Sequence, residues 1–294
     1  MICFAGMHGN ETAGIRALEL LFKMLEVEPI TNESFNYRGQ VVGIKGNLQA
    51  IDQGVRFVKK DLNRQWIKSN VDRICSKDPT TLEDEDLELF ELHTLVQNEI
   101  EQYKPKSIIF LDLHTTTAEG GIFTIPHSDE LSVSIAKDLF APVLLGFLEG
   151  VSGTVLHYFN KHNFVFSKTV SLCFESGQHE DPLSVNRAIA ALTNCMRAIG
   201  SVQQSDVAHR HNFLLQTYSK GLPPISNLIQ RHIVRNGDGF QMLPGYQNFQ
   251  MVKNGEHLAT DKNGNIISPQ DCRILMPLYQ QQGEDGFFLI KDGI

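Results

Sequence analysis

Short apolar runs that alternate with helix-forming segments are the feature that most constrains how this 294-residue chain can fold. Buried strands read as brief runs of this kind, and five of them stand at 1–5, 40–48, 107–113, 142–148 and 169–175. Helical patterns lie between or after them, at 11–28, 82–103, 130–140 and 181–200. Strands and helices in this alternation predict an α/β sheet domain.

Local signals refine two of the helices. In the first, apolar residues recur at helical spacing, Asn10 is the expected N-cap, and Pro29 should lie just past the end. In the helix over 82–103, acidic residues crowd the first turns, where they complement the helix dipole. We therefore expect that acidic run to be a solvated face.

The character of the chain changes after about residue 204. Short β-like runs replace the long helical periods, and Asn-Gly pairs stand at 236–237, 254–255 and 263–264. Asn-Gly between apolar runs is a strong hairpin signal. We expect an α/β domain over 1–203 and a smaller β-rich domain over 204–294.

Bulk properties exclude several kinds of partner. A net charge of −8 and a pI near 5.8 argue against nucleic acid as the main partner. The five cysteines form no CxxC motif, which indicates a reducing compartment. No signal-peptide pattern or membrane-length apolar run is visible, so we expect a cytoplasmic protein without a membrane partner. The sequence leaves a homo-oligomer open.

A possible metal site begins in the stretch FAGMHGNETAG at 4–14, which holds His8 and Glu11 three positions apart. Alone, this is as readily a turn that contains a His and a Glu. His114, however, ends a second strongly apolar strand, and strand ends are where open sheets collect functional residues. Two His and one Glu match a zinc set with an open position, and Gly6 and Gly9 would permit the tight turn.

Two more segments carry candidate chemistry. Glu175 ends a third apolar strand, where a carboxylate needs either a function or a buried ion-pair partner. A general base of this type would assist metal-dependent hydrolysis. The segment 54–66 places four basic residues in an acidic protein, either as a solvated loop or as a carboxylate-binding group.

These motifs, taken in order, resemble those of the succinylglutamate desuccinylase/aspartoacylase family, which belongs to the wider zinc carboxypeptidase-like group. The motifs are GMHGNE at 6–11, DLNR at 61–64, DLHTTT at 112–117 and the strand-ending Glu175. The resemblance covers essentially the whole chain. It implies a mixed central sheet flanked by helices, with a smaller β-rich C-terminal domain that narrows access to the site.

The resemblance also implies roles at the metal. His8, Glu11 and His114 match the three ligands of one zinc ion per chain. Glu175 matches the glutamate that activates the water. The implied reaction is hydrolysis of the amide bond of a small anionic N-acyl amino acid, of the N-succinyl or N-acetyl type, to a carboxylate and a free amino acid.

Substrate contacts are implied in the same way. Arg56 matches the arginine that polarises the scissile carbonyl, and Asp61 matches the acid that orients the first zinc histidine. Asn63 and Arg64 match the pair that holds the substrate carboxylate, and Tyr279 is the candidate for a tyrosine that reaches the site, with a buried core tyrosine as the alternative.

The chain departs from the aspartoacylase pattern at one position. Val165 stands where that enzyme has a second substrate-binding arginine, and the nearest cations are Lys161 and Lys168. This puts a strict acetylaspartate preference in doubt. Two alternatives to the deacylase remain: a metallocarboxypeptidase acting on peptides, and a non-catalytic zinc-binding protein of the same fold.

Histidines outside these motifs are less informative. His209 and His211 flank Arg210 in a linker, where alternating histidines are expected to face solvent. The sequence does not decide whether four other histidines lie near the site. They are His127, His157, His162 and His179.

Overall fold

Parallel pairing of strands from the first 178 residues builds the centre of the fold. The computed structural model describes residues 1–206 and 210–293. Its strands are β1 (Ile2–Ala5), β2 (Val42–Lys45), β3 (Ser107–Thr116), β4 (Phe123–Pro126), β5 (Val143–Leu145), β6 (Lys168–Gln178), β7 (Ile225–Ile233), β8 (Gln241–Met242), β9 (Met251–Val252), β10 (His257–Asp261), β11 (Gly264–Ile267), β12 (Cys272–Leu275) and β13 (Asp285–Asp292).

Helices lie in most of the connections between consecutive strands from β1 to β7. They are α1 (Ala13–Thr31), α2 (Leu48–Gln53), α3 (Lys68–Cys75), α4 (Asp84–Tyr103), α5 (Glu130–Lys137), α6 (Phe147–Gly150), α7 (Val155–Tyr158), α8 (Leu183–Ala198) and α9 (Arg210–Tyr218). Single 3₁₀ turns lie at Leu62–Arg64 and Pro79–Thr81. Within the described parts of the chain, no helix combines the length and apolar character that crossing a membrane requires.

The main sheet is mixed, as the resemblance implied. Its ten strands run in the order β2-β1-β3-β6-β4-β5-β7-β13-β12-β9. Strands β2, β1, β3 and β6 are parallel to one another, whereas β4 is antiparallel to β6. Apolar side chains alternate between the faces, so Phe4 and Phe110 join one core layer while Cys3 and Leu111 join the other. The prediction of a mixed sheet flanked by helices is confirmed.

The C-terminal part is rich in strands but does not stand apart from this sheet. β7 pairs with β5, and β13, β12 and β9 extend the same sheet. Only β8, β10 and β11 form a separate three-stranded sheet among the described residues. The division into domains at 203/204 stays a prediction, and the segment after it also contains a helix, α9.

Helix α1 begins and ends later than expected. It starts after Thr12 and runs to Thr31, with Pro29 inside its last turn. A proline so close to the end forgoes a single main-chain hydrogen bond, so the helix continues past it. The expectations for Asn10 and Pro29 were therefore wrong, and the Asn10 Nδ2 instead donates to Gln280 Oε1 at 3.0 Å.

The expectation of a solvated acidic face on α4 was also wrong for two residues. Glu85 and Glu88 are buried, on the same stripe of the helix as Leu89, Leu92 and Val96. Glu85 accepts from the main-chain N–H of Val58 in a neighbouring loop, and Glu88 accepts from that of Gln49 in the first turn of α2. These hydrogen bonds compensate the burial of the two carboxylates. Charge alone suggested solvent, whereas the helical phase placed both residues on the apolar stripe.

Only one Asn-Gly pair adjoins a hairpin. Asn263 and Gly264 lie at the turn between the antiparallel strands β10 and β11. The pairs at 236–237 and 254–255 form turns between strands that belong to different sheets, so the hairpin prediction was wrong for them. A tight turn reverses the chain locally, but tertiary pairing decides whether its arms meet.

The turn after β1 depends on its glycines, as expected. Gly6 has φ +74°, a conformation that side chains disfavour. At Gly9 a Cβ atom would lie 2.1 Å from the carbonyl carbon of Ala50 in α2. The turn that carries His8 and Glu11 is therefore pressed against a neighbouring helix backbone.

Gly9→Ala should destabilise the protein far more than Gly54→Ala. The added methyl at Gly9 meets backbone that cannot move aside, and we expect a loss of about 3 kcal/mol or more in the free energy of unfolding. Gly54 has φ +65° and open space around it, so its substitution should lose only about 1 kcal/mol. Urea unfolding of both variants checks this, and equal losses would contradict the close approach.

Candidate active site

Three strand ends bring the candidate residues to one edge of the sheet. β1 pairs with β3 so that Ala5 lies opposite Leu113, and β3 pairs with β6 so that His114 lies opposite Glu175. The turn after β1 then carries His8 and Glu11 over this edge. Parallel register therefore assembles residues that are up to 167 positions apart in sequence, from His8 to Glu175.

The Glu11 carboxylate lies between the two histidines. His8 Nδ1 is 2.8 Å from Glu11 Oε1, and His114 Nδ1 is 3.0 Å from Glu11 Oε2. One donor atom from each residue lies within 4.8 Å of the others, and all three side chains are buried. The structure brings together the residues expected to be ligands.

The second ring nitrogen of each histidine contacts an aspartate carboxylate. His8 Nε2 lies 3.2 Å from Asp61 Oδ1, and His114 Nε2 lies 2.7 Å from Asp112 Oδ2. A neutral ring that donates its Nε2–H to such a carboxylate presents a lone pair at Nδ1. With both rings neutral, the two Nδ1 atoms face the acceptor oxygens of Glu11 and can share a metal ion with them. Burial opposes protonation of His114, but the charges of Asp112 and Glu11 raise its pKa well above the usual range, so a proton on the ring also satisfies Glu11. The donor set therefore fits a metal ion.

Glu175 stands beside this cluster without a partner. It is 7% exposed, and its Oε2 is buried with no hydrogen-bond partner among the described residues. Burial raises the pKa of Glu175 to about 8, against the opposing charge of His114 and with help from the negative charge of Glu11. None of the described residues forms the ion pair with Glu175 that was considered from the sequence.

Arg56 approaches the cluster from the segment after α2. Its Nε and Nη2 donate to Asp61 Oδ2 at 3.2 and 3.0 Å, and its Nη1 lies 3.6 Å from Glu11 Oε1. Burial opposes ionisation of Asp61, but the charges of Arg56 and His8 hold its pKa well below the usual range. Asp61 thus links the arginine to the first histidine.

Glu85, which sequence reasoning placed in solvent, shapes the loop between Arg56 and Asp61. Its Oε1 accepts from Val58 N at 2.7 Å, and its Oε2 accepts from Lys59 N and Lys60 N at 3.1 and 3.2 Å. A further bond comes from Asn47 Nδ2, the residue that caps α2. One buried carboxylate therefore fixes three successive main-chain amides of the loop.

Asn63 and Arg64 line the same cavity, but both already have partners. Asn63 Oδ1 accepts from Val155 N at 2.7 Å, which ties it to α7. Arg64 Nη2 donates to Asp285 Oδ2 at 2.5 Å. Neither contact was visible in the sequence, because Val155 and Asp285 are distant in the chain.

Tyr279 and the two lysines lie elsewhere. The Tyr279 hydroxyl donates to Leu243 O at 2.9 Å and accepts from Tyr246 N at 2.8 Å. Tyr279 is not among the described residues that line the cavity. Lys168 starts β6 at the end away from Glu175, and Lys161 lies near His127. Neither lysine lines the cavity that the described residues enclose.

Of the undecided histidines, only His179 lines the cavity formed by the described residues. Its Nδ1 lies 2.6 Å from Thr115 Oγ1, and the main-chain N–H of Thr115 donates to Glu11 Oε2 at 2.8 Å. His211 is buried, contrary to expectation, and burial lowers its pKa to about 4. His209 lies outside the described residues.

The connection between β12 and β13 covers the cavity. Gln282 Oε1 accepts from Arg56 N at 3.2 Å, and its Nε2 donates to Phe57 O at 3.1 Å. Thr117 Oγ1 donates to Pro277 O at 2.9 Å from the other side. The C-terminal part therefore forms one wall of the site.

Solved structures share this fold. The chain superposes on a succinylglutamate desuccinylase/aspartoacylase from Rhodobacter sphaeroides with a TM-score of 0.67 at 16% identity, covering 100% of this chain and 84% of that one. A succinylglutamate desuccinylase from Vibrio cholerae gives 0.62 at 18%, covering 99% and 81%. A point mutant of murine aminoacylase 3 gives 0.60 at 15%, covering 99% and 93%.

Sequence comparison identifies the family to which the chain belongs. The family description "Succinylglutamate desuccinylase/Aspartoacylase catalytic domain" matches residues 1–196. A succinylglutamate desuccinylase from Pseudomonas putida is 24% identical over 291 residues, which cover 94% of this chain and 78% of that protein. The chain belongs to the succinylglutamate desuccinylase/aspartoacylase family.

Glu85→Ala should release the loop that joins Arg56 to Asp61. With its acceptor gone, hydrogen exchange at the amides of Val58, Lys59 and Lys60 should speed up by about tenfold or more. Glu88→Ala is the matched control, because Glu88 is buried on the same helix yet accepts from Gln49 N instead. Equal exchange at 58–60 in both variants, measured by NMR, would show that Glu85 does not hold the loop.

Proposed function

We propose that the protein is a zinc-dependent hydrolase that cleaves the amide bond of a small N-acyl amino acid, giving a carboxylate and a free amino acid. Membership of the family supports the reaction class. The observation that carries the proposal is the buried, unpartnered Glu175 beside the cluster of two histidines and Glu11, as the described residues place them.

His8, Glu11 and His114 are the residues that would hold the ion. A zinc ion bound there supplies Lewis acidity, which polarises the acyl carbonyl and lowers the pKa of a bound water to about 7. Asp61 and Asp112 fix the tautomer and orientation of the two rings, so that both Nδ1 atoms are available as ligands.

Proton transfer falls to Glu175. Its carboxylate would take the proton of the attacking water and later deliver it to the leaving amine. Burial raises the pKa of this carboxyl, and the positive charge of a bound zinc ion would lower it again, which favours the ionised form that accepts the proton.

Arg56, Asn63 and Arg64 would bind the negatively charged groups of the substrate and of the transition state. Arg56 lies beside Glu11, where its guanidinium can stabilise charge that develops on the carbonyl oxygen. Asn63 and Arg64 would hold the carboxylate of the amino acid part.

Glu175→Gln should abolish most turnover without loss of zinc. The amide is isosteric but cannot accept the proton, so we expect kcat to fall by about 100-fold or more while zinc content stays at the wild-type level. The assay is a panel of N-acetyl and N-succinyl amino acids, measured with and without a chelator, together with metal analysis of the purified variant.

Glu180→Gln is the matched control, because Glu180 is exposed and lies just beyond the same strand. It should hydrolyse the panel at the wild-type rate. Full activity of Glu175→Gln would refute the assigned base, and hydrolysis that a chelator leaves untouched would refute the zinc dependence.

A further inference from the structure

Arg64, the residue proposed to hold the substrate carboxylate, is already enclosed by protein acceptors. Its Nη2 donates to Asp285 Oδ2 at 2.5 Å, and its Nη1 donates to Asn63 O at 2.7 Å. Its Nε is buried without a partner among the described residues. Two of the five N–H groups of Arg64 are therefore bonded to protein acceptors, which leaves three for a ligand.

Asp285 is shared between two arginines. Its second oxygen, Oδ1, accepts from Arg231 Nε, and Arg231 Nη1 donates to Gly150 O at 3.3 Å. The three side chains are largely buried, at 13–14% exposure. Two guanidinium groups and one carboxylate leave a net charge of +1 in this network. That charge balances one substrate carboxylate and no more.

The remaining wall of the cavity offers little to a second anionic group. Besides Arg64, the only Lys or Arg among the described residues that line it is Arg56, which is bonded to Asp61. Glu284 adds a negative charge at the exposed rim. Apolar side chains supply much of the rest: Phe147, Leu148, Leu156, Met276, Leu278 and Phe288.

We propose that Asp285 is a specificity-determining residue, which restricts the site to N-acyl amino acids that carry a single carboxylate and an uncharged, mainly apolar side chain. This inference rests on the proposed function. A dicarboxylic substrate would bring a second negative charge toward Asp285 and Glu284 without a cation to pair with it, and an unpaired buried charge is strongly disfavoured.

The wild-type protein gives the first test. With zinc bound, kcat/KM for N-acetylleucine should exceed kcat/KM for N-acetylaspartate by about tenfold or more. N-succinylglutamate should be poorer still, because it carries three carboxylates. A wild-type preference for either multiply charged substrate overturns the inference while leaving the proposed function standing.

Asp285→Asn gives the second test. The amide oxygen can still accept a hydrogen bond, but the loss of charge leaves Arg64 free to attract another anion. We expect the preference for N-acetylleucine to fall by about tenfold, chiefly through a lower KM for N-acetylaspartate. Asp285→Ser, which also removes the charge, serves if the first variant does not fold. An unchanged ratio in a folded variant overturns the inference.

Glu180→Gln is the matched control, because it removes the same charge from an exposed side chain that is not among the described residues lining the cavity. Its substrate preference should stay close to that of the wild type, and an equal change would assign the effect to general electrostatics and overturn the inference.

Calorimetric binding of leucine and aspartate, the amino acid products, to the zinc-loaded protein separates the two proposals. If no panel member is hydrolysed, the proposed function fails. Tighter binding of leucine, reversed in Asp285→Asn, would still support the role of Asp285, and equal binding would overturn it.

Discussion

Parallel register between β1, β3 and β6 is the constraint on which the site depends. Because these strands end at one edge, a turn from the start of the chain meets residues from positions 114 and 175. The glycines of that turn then allow it to rest on the backbone of α2. A shift of one residue in β3 or β6 would turn His114 or Glu175 to the opposite face of the sheet.

Buried carboxylates organise the site as much as the histidines do. Asp61 and Asp112 orient the two rings, Glu85 shapes the loop of Arg56, and Asp285 ties Arg64 to the C-terminal strands. Each of these four has hydrogen-bond donors that compensate its burial. Glu175 differs, since no described residue donates a hydrogen bond to its carboxylate. Its Oε2 is buried without a partner, as is Asp112 Oδ1, but Asp112 Oδ2 accepts from His114.

The sequence predicted the parts of this architecture that are encoded locally. Apolar runs marked β1, β2, β3, β5 and β6 of the main sheet, and the motifs around His8, Glu11 and His114 predicted the cluster that the structure assembles. The sequence did not predict contacts between residues that are far apart in the chain. Glu85 looked like a solvent residue because its partners, the amides of 58–60, are 25 to 27 positions away. Asp285 was missed because it reaches Arg64 across 221 positions.

The central claim is that Nδ1 of His8, Nδ1 of His114 and the Glu11 carboxylate form one zinc site. Anomalous diffraction at the zinc edge, from crystals grown with zinc, tests it most directly. The account predicts one ion per chain, bound by these atoms at about 2.0–2.2 Å, with Asp61 and Asp112 still on the Nε2 atoms. Ligation through Nε2, or no anomalous peak among these three residues, would contradict it.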